Sequence, residues 1–145
     1  KKPREVILLL IDIVAKGGNL AINVGPQPDG RLPAGAVESL KGMGRWLKLY
    51  GDAIYGTRVC APYKKGNIAF TQKDGKVYAL ELFPEKSSPV PEKVFLPWEG
   101  DVKKVSLLDC GKEVPFTAGE GGILVKMPPF EEETAPIARV YVLHR

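Results

Sequence analysis

This sequence has few of the residues that usually carry chemistry. Its 145 residues include two cysteines and one histidine. Cys60 and Cys110 lie far apart in the chain and His144 is distant from Cys60, so no metal-ligand spacing arises and neither a metal nor another cofactor is implied. Two buried free thiols are expected in preference to a disulfide. Charge of one sign is also scarce: 21 basic residues stand against 17 acidic ones, a net +4, with the signs interspersed. That pattern makes no nucleic-acid patch, and Lys64-Lys65 and Lys103-Lys104 read as solvated surface. The longest apolar run, Val6 to Val14, is interrupted by Asp12 and is about half the length a bilayer span needs. The chain opens Lys-Lys-Pro-Arg-Glu, and no small-residue cleavage site follows the apolar run, so no signal peptide is read. The opening passes at once into an amphipathic helix, which leads us to expect a fragment of a longer protein.

Motifs of known mechanism are missing as well. There is no nucleophile elbow, no phosphate-binding glycine loop leading into a helix, and no carboxylate–histidine cluster. Asp29 and Asp52 fall at a turn and at a helix end, without a nearby partner for acid–base work. What is present is a sequence that folds: 44% hydrophobic and 26% charged residues describe a globular chain.

Residues 5–16 are predicted helical, because Val6, Leu9, Leu10, Ile13 and Val14 recur at helical spacing and Gly17-Gly18 supplies a stop. Ile7, Leu8 and Ile11 widen the apolar surface, so this helix is expected to pack on more than one side. Asp12 within that surface calls for an ion pair or a loop cap. Asn19 to Val24 is predicted to be a strand ending at Gly25-Pro26. Leu20, Ile22 and Val24 share one face and Asn19, Ala21 and Asn23 the other; the asparagines are either satisfied in a core or face a site. Gln27-Pro-Asp-Gly30 is turn chemistry. A second helix begins with Pro33 in its first turn and runs to Tyr50. Its inner stripe is Val37, Leu40, Met43, Gly44 and Leu47, with Glu38, Lys41, Arg45 and Lys48 in water and Trp46 at the boundary. Gly42 and Gly44 each weaken it by about 1 kcal/mol relative to alanine, which implies close approach of another backbone.

From Gly56 the pattern changes to short β-branched and aromatic runs at 67–71, 76–82, 94–96, 102–108, 113–116, 123–127 and 138–143. Asp74-Gly75, Asp109-Cys-Gly111 and Gly119 to Gly122 punctuate them, and Pro84 to Pro91 is a surface loop. These runs predict an antiparallel sandwich.

Residues 10–26, Leu-Ile-Asp-Ile-Val-Ala-Lys-Gly-Gly-Asn-Leu-Ala-Ile-Asn-Val-Gly-Pro, are followed by Asp29-Gly30, by Gly44-Arg-Trp-Leu-Lys48 and by Gly51-Asp-Ala-Ile-Tyr-Gly-Thr-Arg58. Together they resemble the C-terminal end of the catalytic barrel of the α-L-fucosidases, glycoside hydrolase family 29. Asn67-Ile-Ala-Phe-Thr, Lys76-Val-Tyr-Ala-Leu and Val105-Ser-Leu-Leu-Asp109 resemble the β-sandwich that follows that barrel. The implied fold is an α/β fragment, the last helix-strand-helix of a TIM-type (β/α) barrel in residues 1–58, followed by an all-β antiparallel sandwich in 59–145.

The resemblance implies hydrolysis of terminal α-L-fucose with retention by two carboxyl groups, a nucleophile and an acid/base, roughly 5 Å apart. No carboxylate here matches either motif, so no catalytic residue is assigned and the chain alone is expected to be inactive. Barrel sites lie at the C-terminal ends of the strands, which makes Asn23, Gly25 and Pro26 the expected substrate-binding lip. The expected partners are a fucosylated oligosaccharide or glycoconjugate and the upstream part of the barrel, with neither nucleic acid nor membrane; the family places such proteins in the periplasm, outside the cell or in lysosomes. A second reading makes the sandwich a carbohydrate-binding module, with Trp98 and the tyrosines at 55, 63, 78 and 141 as an aromatic platform.

Overall fold

The computed structural model describes residues 1–128 and 134–145. Helix α1 (Pro3–Ala15) begins with proline in its first turn, where the missing N–H has no intrahelical acceptor to lose. It ends in a glycine cap: Gly17, at φ 89°, donates to the Val14 carbonyl and Gly18 to that of Ile13. Ile7, Ile11 and Ala15, each four residues from the next, are fully buried. Helix α2 (Ala34–Tyr50) runs into one 3₁₀ turn, Gly51–Ala53. Its most buried residue is Trp46, whose ring centroid lies 5.2 Å from that of Tyr50. Val37, Met43 and Leu47 are only half-buried and Leu40 is exposed. The face of α2 expected to be innermost is therefore not covered, and the residue read as a boundary tryptophan is the anchor.

The strand expected at Asn19 to Val24 is not formed; residues 18–27 carry no sheet ladder. Leu20 and Val24 are half-buried, while Ile22 is 45% exposed. Alternation selects the faces of a strand, but strand structure itself requires a neighbour to take up the backbone N–H and C=O groups. No strand among the described residues pairs with this segment.

Nine strands follow among the described residues. β1 (Arg58–Lys65), β2 (Ile68–Lys73), β3 (Lys76–Leu82), β5 (Lys104–Leu107), β6 (Glu113–Val114) and β9 (Ala138–His144) form an antiparallel sheet ordered β1-β2-β3-β9-β5-β6. β4 (Lys93–Leu96), β7 (Phe116–Gly119) and β8 (Gly122–Lys126) form a second sheet ordered β4-β8-β7. The run predicted at 113–116 is divided at Pro115, which cannot donate to a ladder. No strand is read from the sequence at 58–65, where β1 lies and which contains Pro62. β1 is an edge strand with a bulge between Val59 and Lys64, the setting in which proline is tolerated. Asp74-Gly75 joins β2 to β3 with positive φ at both residues, as a tight hairpin requires.

The six-stranded sheet is covered on both faces, which gives three layers. Val77, Ala79, Tyr141 and Leu143 point toward the three-stranded sheet and pack with Leu96, Ile123 and Val125. Tyr78, Leu80, Val140 and Val142 point the other way and pack with Ile7, Ile11, Ala15 and Trp46 of the helices. β3 is thus buried at every residue after its first, as a central strand covered on both faces is.

Polar contacts lock the layers. Arg4 donates from its guanidinium to the carbonyls of Phe83, Ala135 and Pro136 at 2.6–2.9 Å, tying the start of α1 to the sheet's margin. Thr71 Oγ1 donates to Ala53 O at 2.8 Å. Asp12 is paired as expected, with Lys16 at 3.0 Å and with Lys64 of β1 at 2.9 Å. Both cysteines are free; Cys60 is buried, whereas Cys110 is exposed because it occupies the β5–β6 turn rather than a strand.

Candidate functional site

Residues 20–25, Val6 and Leu9 of α1, and Ser39, Leu40 and Met43 of α2 line an open groove of about 840 Å³. Its walls are mainly aliphatic, and no carboxylate or histidine lines it. Leu9, Ile22 and Leu40, all in its lining, are each 39–45% exposed.

Asn23 and Gly25 line this groove, and Pro26 follows outside its wall at the entry to a turn. That turn is closed by Gly30 N–H donating to Gln27 O at 2.9 Å and Gln27 N–H to Arg31 O at 2.7 Å. Asp29 Oδ1 accepts from the Arg31 backbone N–H at 3.0 Å, so its carboxylate is a turn brace. Asn19 and Asn23 are exposed and make no side-chain hydrogen bond among the described residues. The chemistry available is limited to amide and backbone hydrogen bonding at the lip. Among the described residues no group of three His, Cys, Asp or Glu is placed to hold a metal ion.

Two polar clusters lie elsewhere. Ser106 Oγ is 2.9 Å from His144 Nε2, linking β5 to β9. Burial, then Lys104 and Lys76, lower the imidazole's pKa, so the neutral ring is favoured. No carboxylate bonds this imidazole among the described residues, and the pair has the geometry of a strand tether. Glu81 and Arg139, 2% and 6% exposed, face each other at 2.7 Å across β3 and β9. Tyr141 Oη donates to the same Glu81 oxygen at 2.8 Å, and Arg139 also donates to Pro91 O at 3.2 Å. Burial, with the Glu81 charge, raises the Tyr141 pKa and keeps the phenol a donor. Neither cluster has a signal in sequence, because the partners are 38 to 60 residues apart.

The five aromatic residues considered as a platform are not brought together. Tyr78 and Tyr141 are buried, Tyr55 and Tyr63 are exposed on different segments, and Trp98 packs near Phe70 and Arg145 at 6.0 and 5.5 Å.

The α-L-fucosidase family model matches residues 1–52. Over 143 residues the chain is 32% identical to the α-L-fucosidase of Branchiostoma floridae, taking in 96% of this chain and 31% of that protein. The Thermotoga maritima α-fucosidase solved with a mechanism-based inhibitor superposes with a TM-score of 0.86 at 31% identity, over 100% of this chain and 34% of the other. Over nearly its whole length the chain is similar to α-L-fucosidases. The structure of the Thermotoga maritima enzyme with fucose superposes with a TM-score of 0.84 at 32% identity, over 99% of this chain and 34% of that one. The likeness extends through both sheets, beyond the part matched by the family model. The chain spans about a third of the length of these family members.

Proposed function

We propose that this chain is the C-terminal portion of a retaining α-L-fucosidase, which removes terminal α-L-fucose from fucosylated oligosaccharides or glycoconjugates. Residues 1–58 are the last helix-strand-helix of its TIM-type (β/α) barrel, and residues 59–145 are a sandwich that supports it. The observation that carries this reading is the uncovered apolar groove beside α1 and α2, in a chain that matches α-L-fucosidases end to end over only a third of their length. In this reading the upstream part of the barrel fills the groove and supplies a strand for residues 19–24, satisfying the backbone groups that have no ladder here.

Asn23, Gly25 and Pro26 then border the sugar pocket at the C-terminal end of that strand. Asn23 is the one side chain of the three able to donate and accept, and it positions neighbouring catalytic groups or substrate. The nucleophile and the acid/base are contributed by the upstream part. The family's usual setting makes the compartment periplasmic, extracellular or lysosomal.

The test is an assay of an aryl α-L-fucoside with three samples: this chain alone, the full-length protein, and full-length Asn23→Ala. Turnover is expected only with the full-length protein, and it is reduced in the variant. Hydrolysis by the isolated chain would overturn the assignment of the carboxylates to the upstream part.

A further inference from the structure

A second groove, of about 520 Å³, opens between α1 and the start of β1. It is lined by Leu10 and Val14 of α1, by the turn Gly17 to Leu20 and by the connection Ile54 to Val59 that leads into β1. Leu10 and Val14 are half-buried, whereas Val59 and Tyr55 are 41% and 60% exposed. The glycine turn sets Val59 in place. A β-carbon at Gly17, which has a φ of 89°, would lie 3.0 Å from Val59 Cγ1, so the end of α1 and the start of β1 approach this closely because residue 17 has no side chain.

β1 gives Val59 little cover of its own. Among the described residues it pairs on one side only, with β2, and its register shifts between Val59 and Lys64. A β-branched side chain left in water at such an edge gains from any apolar surface laid over it. Leu20 lines this groove and the groove beside α1 and α2 alike, so the two meet at the beginning of the segment 19–24. A strand paired with that segment advances about 3.3 Å per residue, and its continuation past Asn19 and Leu20 runs into the second groove.

We propose that this groove seats the stretch of upstream polypeptide that adjoins the strand paired with residues 19–24. That stretch covers Tyr55 and Val59, so the barrel holds the sandwich directly at β1 as well as through α1. The inference rests on the reading that this chain is the C-terminal portion of a longer protein: it takes in 31% of one relative and 34% of another, and the remaining length supplies the occupant. Continuity with the ladder at 19–24 favours that occupant over a second copy of this chain.

The experiment is hydroxyl-radical footprinting of the full-length wild-type protein, read by peptide mass spectrometry at Tyr55 and Tyr63; no variant is needed, so misfolding cannot obscure the result. In this structure Tyr55 is the more exposed of the two, 60% against 48%, and Tyr63 lies outside the groove's lining. In the full-length protein oxidation at Tyr55 is expected to fall about tenfold below that at Tyr63, because a covered side chain reacts only when the local structure opens. Oxidation of Tyr55 as fast as that of Tyr63 overturns the proposal. Protection that disappears on dilution also overturns it, since a second copy would then be the occupant. Aryl fucoside hydrolysis by the same preparation reports separately on the parent's activity: protection without hydrolysis rejects that activity and upholds the docking, and hydrolysis without protection rejects the docking alone.

Discussion

Asp12 shows how a single residue can look like a site and be a strut. Its carboxylate lies in an apolar helix and takes hydrogen bonds from Lys64 and Lys16, which hold its pKa below the ordinary carboxylate value. A folded pKa below the unfolded one means stability that is present above the unfolded value of about 3.9 and is lost as pH falls through the folded one. Asp12→Asn is therefore expected to cost about 1 kcal/mol in urea unfolding at pH 7, the scale of a partly exposed pair. The difference should fade as both chains are taken through the acid range. His144 titrates with the opposite charge: its pKa is lowered, so the folded state resists protonation and stability declines as pH falls below about 6.5. A proton NMR titration should place the His144 midpoint below that reference. Glu81 carries a larger penalty. Glu81→Ala leaves Arg139 buried without its counter-charge and is expected to cost about 3–5 kcal/mol in chemical denaturation, whereas Tyr141→Phe removes one hydrogen bond at about 1–3 kcal/mol.

At the scale of elements, the two glycines of α2 separate propensity from packing. A β-carbon at Gly42 would meet Pro3 Cγ at 2.7 Å, whereas nothing lies within 4 Å of one at Gly44. Gly44→Ala is thus expected to stabilise the isolated chain by about 1 kcal/mol through helix propensity alone. Gly42→Ala should lose more than it gains, because overpacking costs about 1–3 kcal/mol. Thermal unfolding of the two variants compares them directly, and the opposite order would mean that the α1–α2 contact yields easily. Most elements were legible in the sequence. α1 and the Asp74-Gly75 hairpin follow from periodicity and turn chemistry, whereas the backbone approach expected at the glycines of α2 is not formed: the Pro3 side chain packs at Gly42 and nothing lies within 4 Å of a β-carbon at Gly44. The segment at 19–24 was not legible as it stands here: its alternation reads as a strand, but a ladder is a property of two segments. β1 was not read from the sequence; it contains Pro62, which an edge position and a bulge accommodate.

At the scale of the whole molecule, one sheet serves two cores. Its inner residues alternate between the helices and the second sheet, so α1 and the sandwich are coupled through Leu80, Val140 and Ile11. The groove beside the helices remains open and apolar, and the isolated chain is expected to bind a hydrophobic dye there; Leu9→Lys with Ile22→Lys should lower that fluorescence without lowering the chain's melting temperature. In the full-length protein the same pair is expected to impair folding, because the charges would be buried without partners.

The sequence by itself determined the local choices: where helices start and stop, which turns are tight, that Asp12 needs a partner, and which family the first 58 residues resemble. Those are properties of spacing over a few residues, governed by backbone sterics and side-chain periodicity. Only the tertiary structure decided that Trp46 rather than Leu40 anchors α2, that Glu81, Arg139 and Tyr141 meet, that Cys110 is exposed, and that Val59 edges a groove. Each of these depends on segments tens of residues apart being brought into contact, and burial and polar partnership are set there, not by the neighbours along the chain.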